Sequence, residues 1–363
     1  MRVLVAPQEF KGSLTAAEAA EAIGAGVRLA LPGVEVDLLP LSDGGPGFVD
    51  AMEAALGGTL QTSPAGDPLG RQVAARWLLA PDGTAYVEAA QANGLLHLWP
   101  DELAPLEAST HGVGELLLAA AIEGAARIVV GVGGSATTDG GIGMAQALGA
   151  RLAFSPGWTL LRGGGSLPAL ESIRWTRPEL LAGIPITVAT DVTNPLHGPS
   201  GAAAVFAPQK GASEGEVELL ERGLKRFTEV VERDLGVRLG DLAGGGAAGG
   251  LAAGMSAFLG ATIESGFDVV AHATGFGERL SRADLVITGE GSFDDQSRQG
   301  KTTGRVIATA EAADIPWLVL AGVVDDEATN VRSLTQIAGP GRDPMSDAAA
   351  LLAELAAAAV ADA

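Results

Sequence analysis

The 363-residue chain contains no cysteine, which excludes disulfide bonds, thiolate metal sites and cysteine nucleophiles. Basic residues are also scarce: there are 23 Lys and Arg against 44 Asp and Glu, for a net charge of -21. A surface this acidic argues against broad binding to nucleic acid or to an anionic membrane. It leaves room for a small basic pocket that binds an anionic substrate.

Long hydrophobic runs are absent as well. The opening Met1–Pro7 stretch is too short for a secretory signal, and no run of about 18 uncharged apolar residues predicts a membrane span. The glycine- and alanine-rich stretch 242–263 comes closest, and its glycines favour a buried loop and helix of a soluble core. These features predict a soluble cytoplasmic protein without a nucleic-acid or membrane partner, and they leave its oligomeric state open.

Glycine and hydrophobic residues, in contrast, are abundant. The 52 glycines and the 47% of hydrophobic residues suit a large core with many tight turns, and the length suggests two domains. A strand at Val3–Ala6, a helix capped by Thr15 and Glu18, and a strand at Val34–Leu39 form a predicted β-α-β unit. Further strands, with helices between them, are predicted at 127–132, 284–288, 317–321 and 334–338. This alternation predicts an α/β fold with a Rossmann-like, doubly wound parallel sheet.

The middle of the chain has a different pattern. Apolar segments at 73–79 and 84–89 flank Pro81-Asp-Gly83, which predicts a hairpin. Short strands are predicted at 151–154, 172–175 and 186–190, and Ser213 with Glu216 predicts a helix that ends near Leu235. We interpret this region as a second α/β domain inserted into the first. The first domain would comprise 1–62 plus about 270–363, the second would comprise about 63–269, and 110–150 fits the first sheet as well.

The segment Thr288–Lys301 follows the apolar run Leu285–Ile287, a predicted buried strand, and precedes a helix from Thr302. A glycine-rich turn between strand and helix suits a phosphate, because backbone N–H groups converge there and the helix dipole favours an anion. The same turn carries the polar side chains that phosphoryl transfer needs, carboxylates for a metal and a lysine for a phosphate. They are Glu290, Asp294, Asp295, Gln296 and Lys301.

Several familiar motifs are excluded or disfavoured. Gln299–Thr302 resembles the end of a Walker A loop, but that pattern needs glycine where the chain has Asp295. Gly131, Gly133 and Ala136 fit a dinucleotide fingerprint, but residues 149–156 lack the acidic ribose ligand, which disfavours NAD. The four histidines show no metal-ligand spacing, and no G-x-S-x-G elbow is present.

Other polar loops follow predicted strands, where ligands bind in open parallel sheets. Lys11 and Ser13 could bind a carboxylate or phosphate, and Asp43 could hold a metal, although both loops also fit helix-capping turns. The loop Gly131–Gly141 could cradle a phosphate with Ser135 and Thr137 as donors, while Asp139 fits an N-cap or a metal ligand. In later loops, Asp191 ends an apolar run, His197 is more typical of a structural histidine, and Lys210 fits a phosphate contact or a surface lysine.

Together these stretches resemble the bacterial glycerate kinase family that includes the tartronate-pathway and glucarate-pathway enzymes. The resemblance is carried in chain order by Ala6-Pro7, Phe10–Leu14, Asp43–Gly45, Gly133–Thr137, Asp139–Gly141, Asp191, Asn194–Leu196, Pro208–Gly211, Thr288–Gly291, Asp294, Gln296, Gly300 and Lys301. It implies ATP-dependent phosphorylation of D-glycerate, usually at the 2-hydroxyl, in a cleft between two α/β domains.

A mechanism for such a reaction can be assigned to residues. Mg²⁺ would be held by some of Asp43, Glu290 and Asp294, and Lys11, Lys210 or Lys301 would neutralise the phosphoryl group or the substrate carboxylate. Asp191 is the predicted base, with Asp139 as the second choice. The remaining predicted binding residues are Ser13, Gly44, Gly45, Gly133, Gly134, Ser135, Thr137, Asn194, Gln209, Gly289, Gly291 and Gln296.

The chain departs from the family pattern in two places. Where the family usually has Asp-Ser before Phe-Lys-Gly-Ser, this chain has Gln8-Glu9, and where it usually has an acidic residue and glycine after Asp-Gly-Gly, this chain has Pro46-Gly47. Gln8 removes a carboxylate, and in an extended segment Glu9 points the other way. These departures make a non-catalytic binding homologue one alternative. The others are a glycerate 3-kinase, a kinase of another small hydroxy acid and, from the loop Gly131–Ala136, a nicotinamide-dependent oxidoreductase.

Overall fold

A computed structural model describes residues 1–156, 162–294, 297, 302–325, 330–339 and 341–361. Its strands are β1 Arg2–Val5, β2 Glu35–Leu38, β3 Thr59–Gly66, β4 Gln72–Leu79, β5 Thr84–Glu88, β6 Arg127–Gly131, β7 Arg151–Phe154, β8 Leu170–Arg174, β9 Ile186–Ala189, β10 Thr262–Glu264, β11 Leu285–Phe293, β12 Trp317–Val324 and β13 Val331–Ser333.

Its α-helices are α1 Ala16–Ala30, α2 Phe48–Leu56, α3 Ala90–Asn93, α4 His111–Ile122, α5 Ile142–Ala147, α6 Ala202–Phe206, α7 Glu214–Leu235, α8 Ala247–Leu259, α9 Gly266–Thr274, α10 Phe276–Leu280, α11 Thr302–Ala312, α12 Leu334–Ile337 and α13 Ala348–Ala361. Short 3₁₀ helices lie at Leu95–His97, Pro100–Glu102, Gly164–Ala169, Glu179–Leu181 and Pro208–Lys210. Within the described ranges, no helix is both long enough and apolar enough to span a bilayer.

The chain divides into two compact units. The first comprises Met1–Asp43, Asp50–Gly57 and Phe267–Ala363, and the second comprises Gly44–Val49 and Gly58–Gly266. Residues 110–150 belong to the second unit, in which β6 pairs with β5 and β9. The mixed α/β class predicted from the sequence is confirmed.

The first unit contains a parallel five-stranded sheet in the order β13-β12-β11-β1-β2. Strand β1 after Arg2 and the opening residues Leu285–Ile287 of β11 are continuous apolar runs, as expected of strands covered on both faces. The predicted capping box opens α1: Thr15 accepts from the Glu18 N–H, and the Glu18 carboxylate accepts from the Thr15 N–H. Helix α1 packs closely on α13, where a Cβ on Gly26 would lie 2.1 Å from the carbonyl oxygen of Ala353.

The second unit contains a six-stranded sheet in the order β10-β9-β6-β5-β4-β3. The pairs from β10 to β5 are parallel, whereas β5-β4 and β4-β3 are antiparallel, with the predicted hairpin at Pro81-Asp-Gly83. A separate antiparallel pair joins β7 and β8. Helix α7 begins at the predicted cap Ser213 and ends at Gly236, which has a left-handed φ of 71°.

Two predicted elements were wrong in detail. The expected strand at 334–338 is the short helix α12, because the β-pairing ends at Ser333, whose side chain caps that helix. The expected turn after Ile287 is instead strand, since β11 continues to Phe293 and pairs with β12 throughout. The glycines permit this extension: a Cβ on Gly289 would lie 2.0 Å from the carbonyl oxygen of Leu320.

Candidate active site

In the first unit, the segment after β1 runs alongside β11. The N–H of Ala6 donates to Ile287 O at 2.7 Å, and the N–H of Gln8 donates to Gly289 O at 3.0 Å. Further along, a Cβ on Gly291 would lie 3.1 Å from the backbone nitrogen of Lys11, so the two segments are in direct backbone contact. Glycine suits this close approach, and the contact places the Lys11 loop against the carboxyl-terminal half of β11.

Glu290 is a buried carboxylate, only 5% exposed, in this half of β11. Its Oε2 accepts a hydrogen bond of 3.1 Å from the side-chain Nε2 of Gln8. Gln8 is thus attached to β11 by its backbone, at Gly289, and by its side chain, at Glu290. A side-chain amide orients the carboxylate and carries no positive charge of its own, so Gln8 does not compete with a cation as a lysine or arginine would.

Glu9 lies near two of the predicted site residues. Burial raises the pKa of Glu9, the negative charge of Asp43 raises it further, and the positive charge of Lys11 lowers it. The side chain of Lys11 is exposed, whereas Glu9 and Asp43 are half-buried. The departure from the family pattern therefore leaves a carboxylate, Glu9, within electrostatic reach of Asp43 and Lys11.

Two further predicted residues of this unit make local hydrogen bonds. The hydroxyl of Ser13 donates to Phe10 O at 3.0 Å, which fits the turn alternative for that loop. Oδ1 of Asp294 accepts from the N–H of Ser297 at 2.8 Å and from its hydroxyl at 3.1 Å. Gln296 and Lys301, like Asp295 and Gly300, lie outside the described residues.

The carboxylates of the first unit suit magnesium in their chemistry. Mg²⁺ prefers oxygen ligands and is usually bound by one or two carboxylates, with waters and substrate phosphates completing its shell. In the part of the chain that is described, no three His, Asp or Glu side chains form a ready-made metal cluster. Glu290, Asp43 and Asp294 therefore fit a metal that arrives with a nucleotide better than a permanently caged ion.

In the second unit, glycine-rich loops meet at the carboxyl ends of β6 and β9. The N–H of Gly133 donates to Gly44 O at 3.0 Å. A Cβ on Gly133 would lie 2.5 Å from Gly45 Cα, and one on Gly44 would lie 2.5 Å from Ala189 O. The glycines of the dinucleotide-like pattern thus serve contact with another loop of the protein, which weakens the argument for NAD.

Asp139 is fully buried within the Gly131–Gly141 loop. Its carboxylate accepts hydrogen bonds from the N–H groups of Gly141 and Gly143 and from both the N–H and the hydroxyl of Thr110, at 2.9 to 3.2 Å. Burial raises the pKa of Asp139, and the four hydrogen bonds oppose that rise. The N-cap position of α5 is Gly141, so Asp139 is not the N-cap residue itself, but its carboxylate accepts from backbone N–H groups at the start of α5 and joins them to the start of α4.

Lys210 is buried, with 3% exposure, so it is not a surface lysine. Its ammonium donates to Thr137 O at 2.6 Å and to the Ser135 hydroxyl at 3.2 Å. Burial lowers the pKa of Lys210 to about 7, and the charge of Asp139 partly opposes the change. The predicted binding residues Ser135, Thr137 and Lys210 are therefore in mutual contact.

Asn93 was missed by the sequence analysis although it belongs to the same group. It is fully buried at the end of α3, and its Nδ2 donates to the Thr137 hydroxyl at 3.1 Å. Its backbone oxygen also accepts from the N–H of Ala136 at 2.8 Å. The available signal was an asparagine at the end of the alanine-rich stretch after β5, followed by Gly94.

The remaining predicted residues lie in the loop after β9 and in the 3₁₀ helix 208–210. Oδ1 of Asp191 accepts from the Ser265 hydroxyl at 2.8 Å, and Nδ2 of Asn194 donates to Ser200 O at 2.8 Å. Asp191 is half-buried at the carboxyl end of β9, where a ligand-binding side chain is expected. Gln209 is exposed.

Known proteins are similar to this chain over almost its whole length. Residues 3–362 match the model of the glycerate kinase family. A glycerate kinase of Bacillus subtilis (strain 168) is 41% identical over 96% of this chain and 93% of its own length, and a glycerate 2-kinase of Escherichia coli (strain K12) is 42% identical over 90% and 86%. A crystal structure from Salmonella typhimurium LT2, provisionally named glycerate kinase 2, superposes with a TM-score of 0.83 at 39% identity, covering 100% of this chain and 97% of that one.

Proposed function

Since the chain belongs to the glycerate kinase family, we propose that it transfers the γ-phosphoryl group of ATP to D-glycerate, at the 2-hydroxyl. The observation that carries this proposal in the structure is the buried Glu290. It lies on a glycine-rich strand, held by Gln8, beside a loop that presents the exposed Lys11. A carboxylate for a metal and a lysine for a phosphate are the groups that phosphoryl transfer requires.

In the first unit, Glu290 is the main carboxylate ligand of the metal in this proposal, and Asp43 and Asp294 are its further ligands. Bound Mg²⁺ would neutralise charge on the transferring phosphoryl group. The exposed ammonium of Lys11 is free to move on its flexible stem, and it pairs with a phosphate or with the glycerate carboxylate. Lys301 shares this neutralising role.

In the second unit, Asp191 accepts the proton of the substrate hydroxyl as the phosphoryl group arrives. Its hydrogen bond from Ser265 uses Oδ1 and fixes the orientation of the carboxylate. Asp139 is the weaker candidate, because four protein donors already surround its carboxylate. The loop Gly133–Thr137 binds the substrate or its phosphate through backbone N–H groups and through the hydroxyls of Ser135 and Thr137.

Catalysis in this proposal comes mainly from positioning and charge neutralisation. The chain's own groups hold the phosphoryl donor and the hydroxyl in line, and Asp191 removes one proton. Gly44, Gly45, Gly133 and Gly134 keep the loops close to one another. Asn194, Gln209, Gly289, Gly291 and Gln296 complete the proposed binding set.

The test is a turnover assay with ATP, D-glycerate and Mg²⁺, in which the product is offered directly to enolase. An immediate enolase signal supports the 2-kinase, and a signal that needs phosphoglycerate mutase supports the 3-kinase alternative. If neither glycerate enantiomer is turned over but another small hydroxy acid is, the protein is a kinase of that other acid. ATP binding without any turnover would support a non-catalytic homologue.

A nicotinamide-dependent oxidoreductase is the competing class. Its sequence pattern is the Gly131–Ala136 fingerprint, whose Gly133 is in contact with the backbone of Gly45. Titration of the protein with NADH and NADPH, followed by fluorescence, separates the two classes. Binding of a nicotinamide nucleotide in the micromolar range would contradict the kinase proposal.

A further inference from the structure

We propose that Asn93 and Lys210 are paired positioning residues that act on the substrate loop through Thr137, and that neither of them touches a substrate. This inference rests on the proposed function, in which the Gly133–Thr137 loop binds the substrate or its phosphate. It assigns a role to Asn93 and changes the one predicted for Lys210.

The two side chains meet the same residue at different atoms. The ammonium of Lys210 donates to the Thr137 carbonyl oxygen at 2.6 Å, and the amide of Asn93 donates to the Thr137 hydroxyl at 3.1 Å. Each residue also holds a neighbour in the loop: the side chain of Lys210 donates to the Ser135 hydroxyl, and the backbone oxygen of Asn93 accepts from the N–H of Ala136. The run from Ser135 to Thr137 is therefore fixed at four points by two residues distant in sequence.

Packing restricts the same carbonyl from another side. A Cβ on Gly249 would lie 2.0 Å from Thr137 O, the oxygen that accepts from Lys210. Gly249 lies in a left-handed turn with Ala248 and Gly250, and Ala248 is one of two residues other than glycine with positive φ in the described chain. Backbone strain of this kind persists only where its surroundings over-determine it, and it clusters at functional sites.

Both positioning groups cost stability where they lie. A buried ammonium is expensive to desolvate, and the Oδ1 of Asn93 is buried without a hydrogen-bond partner among the described residues. Both groups thus carry a desolvation cost that an apolar side chain would not carry. Two costly groups that converge on one loop residue are typical of a site whose geometry matters for function.

Nor can the ammonium readily reach a substrate. Its side chain is buried, and two of its three N–H groups are directed at Ser135 and Thr137. For Lys210 to bind a phosphate, both hydrogen bonds would have to break and Thr137 O would be left without its cation. The exposed Lys11 carries no such constraint.

The experiment is a double-mutant cycle on the full chain with Lys210→Met, Asn93→Leu and the combined variant. Each single variant should lower kcat about tenfold or more, whereas KM for ATP and for glycerate should change less than about threefold. The reason is that the loop is displaced while the side chains that bind the substrates are kept. The double variant should be no worse than the worse single one, because both act on one element. Ser63→Ala on strand β3, which removes the acceptor of the hydrogen bond from Trp77 on β4, is the matched control and should change neither constant.

Hydrogen–deuterium exchange of the peptide covering 131–141 gives a readout that does not depend on turnover. Exchange should rise in both single variants and stay unchanged in Ser63→Ala. The proposal would be overturned if the losses of kcat in the two single variants multiplied in the double variant. It would also be overturned if the KM for one substrate rose about tenfold or more while exchange stayed unchanged, because Lys210 would then contact the substrate directly. If the wild-type protein lacks glycerate kinase activity, the proposed function fails, and unchanged exchange in both variants would still overturn this inference. Should Lys210→Met not fold, Lys210→Gln replaces it in the cycle, since a shorter neutral amide alters the two hydrogen bonds of Lys210 and leaves the substrate loop's own residues unchanged.

Discussion

Gln8 donates its side-chain amide to the buried carboxylate of Glu290 at 3.1 Å, while its backbone N–H is bonded to Gly289. This arrangement attaches the loop after β1 to the strand that carries the proposed metal-side carboxylate. An interaction of this kind orients a ligand without contacting the metal, and its loss typically weakens metal affinity by about 10- to 100-fold.

Gln8→Met should therefore raise the Mn²⁺ concentration needed for half-saturation about tenfold, because the length is kept and the donor is lost. The measurement is electron paramagnetic resonance of Mn²⁺ binding in the presence of ADP. Glu290→Gln is run in parallel, and the surface variant Gln72→Met is the control. A shift with Glu290→Gln but none with Gln8→Met would keep Glu290 as the ligand and remove Gln8 from its support.

Asp191→Asn should lower kcat at least about 100-fold, because an amide cannot accept the proton of the substrate hydroxyl. The melting temperature should change little, since Asp191 is half-buried and the amide oxygen can still accept from Ser265. Steady-state kinetics measures kcat, and calorimetry measures the melting temperature. Ser265→Ala is the partner variant, expected to cause a smaller loss of kcat, and near-normal kcat in Asp191→Asn would pass the role of base to Asp139.

Asp139→Asn should destabilise the protein by about 1–3 kcal/mol, because the new NH₂ group faces donors in a fully buried site. Urea unfolding followed by circular dichroism gives the free energy of unfolding. The comparison is Asp67→Asn, which also removes a buried carboxylate from a turn but lies in a separate loop. A variant of wild-type stability with no activity would contradict the capping role and favour catalysis.

Lys210 should make stability depend on pH in a definite direction. Burial lowers the pKa of Lys210 to about 7 in the folded protein, whereas in the unfolded chain its pKa is about 10.4. Between these values the unfolded chain binds more protons, so the contribution of Lys210 to stability rises with pH across that window, is greatest above about 10.4 and is lost as pH falls to about 7. From pH 7 to pH 9.5, the free energy of unfolding of wild type should rise relative to that of Lys210→Met. No change in the difference between the two proteins would contradict a buried lysine with a lowered pKa.

Features with a local cause were predictable from the sequence. The helix caps at Thr15 and Ser213 follow from residues three apart, and the hairpin at Asp82-Gly83 follows from its turn residues. The parallel strands followed from apolar runs, and family motifs located the loops that carry Ser135, Asp191 and Glu290.

Features caused by distant contacts were not predictable in the same way. Gly289 was expected in a turn, but β12 approaches it so closely that only a glycine strand fits. Lys210 could be a phosphate ligand or a surface residue by sequence, and its burial depends on a loop 73 residues earlier. Asn93 carried no recognisable motif, because its role depends on the hydroxyl of Thr137, 44 residues away.

The order of strands in the first unit has a consequence for synthesis. Strand β1 is the second element from one edge, and it pairs with β2 on one side and with β11, which begins at Leu285, on the other. The six-stranded sheet of the second unit lies wholly between Thr59 and Glu264. On the ribosome the second unit can therefore complete its sheet first, while β1, whose partner β2 follows soon after it, waits for some 280 residues before its other partner β11 emerges. Chaperone dependence of this protein should accordingly trace to the unpaired edge of its first strand, the earliest segment made and one of the last to be paired on both sides.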